Sequence, residues 1–221
     1  MTARSKSPHD PVRNSTPIVF VVDDDAAVRE TLASLFRSVD LRVVVLGSAH
    51  EFLLSNIPDA ASCLVLDVRL PGVSGLDFQE ELAKAGIRIP IIFMTGHGDI
   101  PMSVKAMKAG ALDFLTKPFR DQDMLDAVTK AIERNQKRQD DEKTVSELRI
   151  RFESLTGREK ELLALVAADL MNKQIAAELG VTEITVKVHR SRMMRKMKAR
   201  SLVQVVRMAD LLEIRRAKPQ S

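Results

Sequence analysis

The sequence contains no tryptophan and no tyrosine, so eight phenylalanines make up its whole aromatic content. That scarcity counts against binding single-stranded nucleic acid by stacking bases on aromatic platforms. There is a single cysteine, Cys63, inside an apolar run. It can form no internal disulfide, and a buried small hydrophobe is expected there in preference to a redox group. No apolar stretch approaches the eighteen or so unbroken residues that a membrane span needs. The opening MTARSKSPHDPVRNSTP is polar and proline-bearing and has no apolar core segment. Residues 1–16 therefore read as a flexible leader rather than a signal peptide, and a cytoplasmic protein without a membrane partner is expected.

What is present points to two domains. A length of 221 residues is long for one compact domain, and 45% apolar content is ordinary for a folded protein. The net charge of +4 is uneven: from Thr156 onward there are 14 Lys and Arg against 7 Asp and Glu, which leaves the first 155 residues at minus three. One part is acidic and the other basic, which suggests a nucleic-acid partner for the C-terminal part alone.

The first part is organised around Ile18 to Asp25, IVFVVDDD. Its unbroken apolar run predicts a strand buried on both faces of a parallel sheet. The three aspartates that follow repel one another and need cations, helix N-termini or a metal ion close by. Alternatively they cap the next helix, whose apolar positions Val28, Leu32, Leu35, Phe36 and Val39 have helical spacing. Further short apolar segments follow at Arg42 to Leu46, Cys63 to Leu66, Ile89 to Met94 and Asp113 to Thr116. Helical patterns separate them, one opened by a capping box of Ser48 with Glu51, another by Ser74, and a third marked by Val104 and Met107. Such alternation predicts an α/β fold with a doubly wound, five-stranded parallel sheet, whose ligand site lies beyond the carboxyl ends of the strands.

The residues at those ends form one list. The first strand ends at Asp23 and Asp24, the third at Asp67, the fourth at Thr95, and the fifth at Lys117 followed by Pro118. A threonine at a strand end is usually structural and a lone lysine usually solvated. Their arrival together, in this order, at four strand ends is what carries the signal.

The aspartate pair, Asp67 within LDVRLPGVSG, Thr95 within MTGHGD and the Lys117-Pro118 pair resemble the receiver domain of two-component response regulators, over residues 17–138. The run from Thr95 to Phe119 is similar to the FixJ-like branch. The resemblance implies that Asp67 is the nucleophile for a phosphoryl group carried on a histidine of a partner kinase. A carboxylate attacks anionic phosphorus poorly unless charge is screened. Asp24 and Asp67 would hold Mg²⁺ with waters, Asp23 through a water, and Arg69 through its backbone carbonyl. Lys117 would contact one phosphoryl oxygen and the Thr95 hydroxyl another. A cis bond between Lys117 and Pro118 is implied too, and would set the lysine's direction.

Gly96 and Gly98, flanking His97, would hinge the loop that Thr95 pulls. Phe114 matches the family's switch aromatic, with a plain core phenylalanine as the other reading. In the FixJ-like class the face of the fourth helix and fifth strand dimerises, which points to Val104 and Lys108.

From Asp121 an amphipathic pattern passes into a charged run without glycine or proline, so a helical linker is expected over residues 139–153. Val145, Leu148, Phe152 and Leu155 could pack against the next domain, the favoured reading, or form a dimer coil. Residues 154–221 open with a capping box of Thr156 and Glu159. Helices follow: Asn172 to Leu179, then one capped by Thr182 after the Gly180 turn, then one capped by Ser201. This is an all-α helix-turn-helix or an ordinary helical hairpin, and charge favours the first: Val186 to Arg200 holds seven Lys or Arg and no acid.

The segment Leu155 to Met197 resembles the LuxR/NarL-type DNA-binding domain through TxRE, NKxIAxxLG and TVKxHRxxxMxKM. Asp169 stands where that family has glycine, and Ser191 where some relatives have lysine. By position, Lys187 and Val188 would face bases, while Lys173, Thr185, Arg190 and Arg195 would meet phosphates. His189 reads as packing or phosphate contact. The expected function is a phosphorylation-activated transcription regulator, with a sensor histidine kinase, a double-stranded DNA operator, RNA polymerase and, once phosphorylated, a second copy of itself as partners. An aspartyl-phosphate phosphotransfer protein or phosphate sink is the alternative. No enzyme activity is expected beyond self-phosphorylation and slow self-dephosphorylation.

Overall fold

The computed structural model describes residues 16–96 and 100–214. Residues 1–15 of the leader expected over 1–16, together with His97 and Gly98 of the expected glycine hinge, lie outside the described residues. The chain divides into two compact units, 1–139 and 140–221.

In the first unit five strands alternate with helices: β1 (Ile18–Val22), α1 (Ala26–Arg37), β2 (Arg42–Leu46), α2 (Ala49–Leu54), β3 (Ser62–Asp67), α3 (Gly75–Lys84), β4 (Ile91–Thr95), α4 (Ile100–Lys108), β5 (Asp113–Thr116) and the start of α5 (Asp121–Glu153), whose residues from 140 onward are assigned to the second unit. The strands form one parallel sheet in the order β2-β1-β3-β4-β5. The order reverses between β1 and β3, which makes their carboxyl ends the switch point.

The pleat explains why β1 has no polar alternation. Ile18, Phe20 and Val22 face a core built with Phe52 of α2 and Leu76, Phe78 and Leu82 of α3. Val19 and Val21 face a second core with Leu32 and Phe36 of α1 and Met124 and Val128 of α5. Both faces are covered, so both must be apolar. On the first face Phe20, Phe52 and Phe78 pack edge to face, with centroids 5.3 and 5.9 Å apart. The strand β2, at one sheet edge, is only partly covered. Cys63 lies in the second core, where burial pushes its thiol up to about 12 and leaves it inert at neutral pH. The buried side chain of Asn135 accepts from the backbone N–H of Ser62 at 3.2 Å, which satisfies the first donor of β3.

Three local expectations are corrected. Val39 is not on the buried face of α1: the helix ends at Arg37 with Ser38 as its cap, and Val39 is exposed. Ser48 does cap α2, but Glu51 reaches past it to the N–H of Gly47, so the reciprocal half of the box is displaced by one residue. The strand β4 starts at Ile91, because Pro90 has no N–H to give the ladder.

In the second unit, α6 (Gly157–Ala167), α7 (Asn172–Leu179), α8 (Glu183–Met197) and α9 (Leu202–Leu211) enclose a core of Leu162, Leu163, Ile175, Val186, Met193, Met197, Val205 and Ala209. Phe152 and Leu155 pack on this core, the reading favoured over a dimer coil. Thr156 and Glu159 form the expected capping box. Burial pushes the Glu159 carboxyl up, yet the Lys196 ammonium at 2.6 Å and the Thr156 N–H at 2.8 Å outweigh it, so the group ends below the ordinary glutamate range. Asp169 takes the left-handed conformation, with φ 63°, which explains how an aspartate can replace the expected glycine at that turn. Gly180, with φ 64°, ends α7 and leads through Thr182 into α8. Among the described residues no helix is long and apolar enough to cross a membrane.

Candidate functional site

Each strand of the parallel sheet delivers its last side chains to the same edge. Asp23 follows β1 directly and is fully buried, Asp24 beside it is exposed, and Asp67 ends β3 with 8% exposure. Carboxylate oxygens of these three residues lie within 4.8 Å of one another. Thr95, fully buried, ends β4, and its carbonyl accepts from the backbone N–H of Lys117 at 2.7 Å. The Lys117-Pro118 bond is cis.

The electrostatics of the pocket centre on Lys117. Its Nζ donates to Asp23 Oδ2 at 2.7 Å and to Asp67 Oδ2 at 3.1 Å. The other oxygen of each carboxylate accepts a backbone N–H, Asp25 to Asp23 at 2.8 Å and Arg69 to Asp67 at 3.2 Å. Burial pushes Asp23 up, helped by the nearby Asp67 charge and opposed by the hydrogen bonds from Lys117 and Asp25. Lys117 is pushed down by burial, but the two carboxylates more than restore it and leave it above the ordinary lysine range. An ion pair alone would lower Asp23; its rise reflects complete burial beside a second carboxylate, whereas Lys117 keeps a quarter of its side chain in solvent. Three carboxylates against one ammonium leave excess negative charge on oxygen ligands, the donor set of a hard divalent cation.

The aspartate run divides its labour. Asp25 caps α1, accepting from the N–H groups of Ala27 and Val28, so capping and site formation are both present, on different residues. Two further residues, Arg29 and Gly75, support the site without belonging to any of its sequence motifs. Arg29 Nη1 donates to the carbonyls of Asp23 at 2.7 Å and Asp24 at 2.9 Å. Its position one helical turn after the acidic run is the sequence signal for this role. Gly75 opens α3 so close to β3 that a Cβ there would lie 2.5 Å from the Asp67 carbonyl oxygen. No sequence signal marks that approach.

Arg69 is exposed, and its backbone bridges to Ser74. Phe114 is half-buried, its ring 6.3 Å from that of Phe93. On α4, Val104 is exposed along with Ile100 and Met107 at helical spacing, and Lys108 is exposed at its end. In the second unit Lys173, Lys187, Val188 and Arg195 are exposed. Thr185 is half-buried and hydrogen-bonded to the Thr182 cap, and His189 is half-buried. Arg190 donates to Asn172 Oδ1 at 2.7 Å and so ties α8 to the start of α7.

The sequence matches two families, the response regulator receiver domain over residues 19–129 and the luxR family of bacterial regulatory proteins over 153–209. It is 61% identical to nodulation protein W of Bradyrhizobium diazoefficiens, across 89% of this chain and 87% of that protein. It is 46% identical to the transcriptional regulatory protein FixJ of Azorhizobium caulinodans, across 87% and 92%. Among solved structures it resembles the response regulator StyR, with 49% identity, a TM-score of 0.79, and coverage of 89% of this chain and 99% of that one.

Proposed function

This chain belongs to the response regulators that join a receiver domain to a LuxR-family DNA-binding domain, and from that premise we propose that Asp67 takes a phosphoryl group from the histidine of a sensor kinase. Supporting this reading is the arrangement in which Lys117 Nζ touches both Asp23 and Asp67 while a carboxylate oxygen of Asp24 lies within 4.8 Å of oxygens of those two aspartates. An Asp67 oxygen attacks phosphorus as the phosphorus–nitrogen bond breaks, and the bond's electron pair leaves with the imidazole, which takes up a proton.

The residues present fit Mg²⁺: three carboxylates with oxygens within 4.8 Å, one of them exposed for entry. Asp23, Asp24, Asp67 and the backbone carbonyl of Arg69 would hold it. When bound, it supplies charge neutralisation for the phosphoryl oxygens. Lys117 then exchanges its bond to the Asp67 carboxylate for one to a phosphoryl oxygen, so its charge is already in place. The Thr95 hydroxyl binds another oxygen, and Phe114 turns inward as it does. The α4 face with Val104 and Lys108 then joins a second copy.

The DNA-binding unit carries the output, in the cytoplasm and alongside RNA polymerase. We assign the receiver to 17–138, the linker to 139–153 and the helix-turn-helix to 154–221. Lys187 and Val188 face bases, and Lys173, Thr185, Arg190 and Arg195 meet phosphates. Arg190 can do so while holding Asn172, since a guanidinium has five donors. Intact-mass measurement after incubation with acetyl phosphate and Mg²⁺ tests the central assignment. One phosphate adduct is expected on the natural chain and none on Asp67→Asn; a full adduct on the variant would overturn it.

A further inference from the structure

The helix α8 carries its buried residues Val186, Met193 and Met197 on one side. At 3.6 residues per turn the opposite side is the stripe Ile184, Lys187, Val188, Ser191 and Arg195, all of them exposed. Ile184 is 74% exposed and Val188 45% exposed. One turn apart, they make an apolar pair at the amino-terminal end of a helix that has one acid, Glu183, in its first turn and then five cations and no acid from Val186 to Met197. Neither residue belongs to the core of its unit.

We propose that Ile184 and Val188 form an apolar reader for the C5-methyl groups of thymine in the major groove, with Ile184 a determinant of operator sequence. Charge complementarity selects the occupant. The surrounding lysine and arginines favour a polyanion and disfavour an apolar protein or a membrane interior. Within the major groove the thymine methyl is the one apolar feature on a base edge. The first turns of the second helix of a helix-turn-helix are those that reach base edges, and Ile184 lies in the first turn. Lys187 sits between the two apolar residues and can donate to guanine, so this face is suited to mixed guanine and thymine steps.

This inference rests on the DNA-binding reading, and its test separates the two. The full chain, treated with acetyl phosphate and Mg²⁺, is used to select duplexes from a random library. The preferred duplex is then resynthesised with deoxyuridine replacing thymidine one position at a time, which removes a methyl group and leaves every hydrogen-bonding group in place. Binding is expected to weaken about fourfold at one or two positions of each half-site, the factor that one buried methyl group carries. Ile184→Ala should bind the thymidine and deoxyuridine forms of its position equally, and Val188→Ala should do the same at the neighbouring position. Both sites are exposed and alanine favours helix, so folding is not at stake. Specific binding with no methyl dependence overturns the inference and leaves DNA recognition standing. So does a selected half-site without thymine, or an Ile184→Ala loss that is equal on both DNAs. Absence of any sequence-specific binding by the natural chain overturns both readings.

Discussion

Arg29 Nη1 donates a 2.7 Å hydrogen bond to the backbone carbonyl of Asp23. The same nitrogen reaches the carbonyl of Asp24 at 2.9 Å. The guanidinium thus holds the backbone of two acidic residues whose side chains face the candidate cation site. It acts on their orientation from behind and does not compete for their carboxylates.

Arg29→Ala is therefore expected to weaken Mg²⁺ binding by about tenfold or more, the cost seen when a residue that orients a ligand is lost. Arg29→Lys, with the charge kept but the planar fork lost, should fall between. With no tryptophan or tyrosine to report by fluorescence, titration calorimetry is the measurement. Equal affinity in all three proteins would show that the loop holds its shape without the arginine.

Gly75→Ala would place a Cβ 2.5 Å from the carbonyl oxygen of Asp67, a backbone atom that cannot swing away. Either α3 or the end of β3 must shift. A loss of about 1 to 3 kcal/mol in urea unfolding is expected, together with slower phosphorylation of the folded protein by acetyl phosphate. Normal stability with normal phosphorylation would mean that α3 withdraws without disturbing Asp67.

Phosphorylation is expected to drive dimerisation through the α4 face. Shifting a population from 1:99 to 99:1 requires the phosphate to favour the dimerising state by roughly 5 kcal/mol. Val104→Glu, at a position already 44% exposed, should leave the fold intact and keep the phosphorylated protein monomeric in sedimentation. Identical monomer fractions with and without phosphoryl donor in the natural chain would remove dimerisation from the mechanism.

Acid should weaken the second unit through Glu159. Its carboxyl lies below the ordinary value of 4.5 because Lys196 and Thr156 favour the charged form. A group depressed in the folded state contributes stability above its unfolded value and loses it as pH falls through the folded value. Glu159→Gln is expected to cost about 2 kcal/mol at neutral pH, the scale of a hydrogen bond to a charged group. The difference from the natural chain should shrink below about pH 4.5, where unfolded glutamate begins to protonate. Urea unfolding followed by circular dichroism over a pH series checks both. A difference that stayed constant with pH would mean that the ion pair is not the cause.

Strand and helix order, the buried β1, and the list of Asp23, Asp24, Asp67, Thr95 and Lys117 were legible in the residues themselves. In a parallel sheet every strand runs toward the same edge, so local apolar runs are enough to place their last residues together. The same holds for α8, where period and charge both lie within fifteen residues. What the chain order could not decide was how three adjacent aspartates divide. Backbone direction after β1 buries Asp23 against Lys117, exposes Asp24 and turns Asp25 onto the N–H groups of α1. Arg29 and Gly75 likewise acquire their roles only when a helix is seated on its strand, since a hydrogen bond to a carbonyl and the space for a Cβ are properties of packing. The exposure of Ile184 belongs with these: its residue type suits a core, and only the placement of Val186, Met193 and Met197 inside leaves it outside.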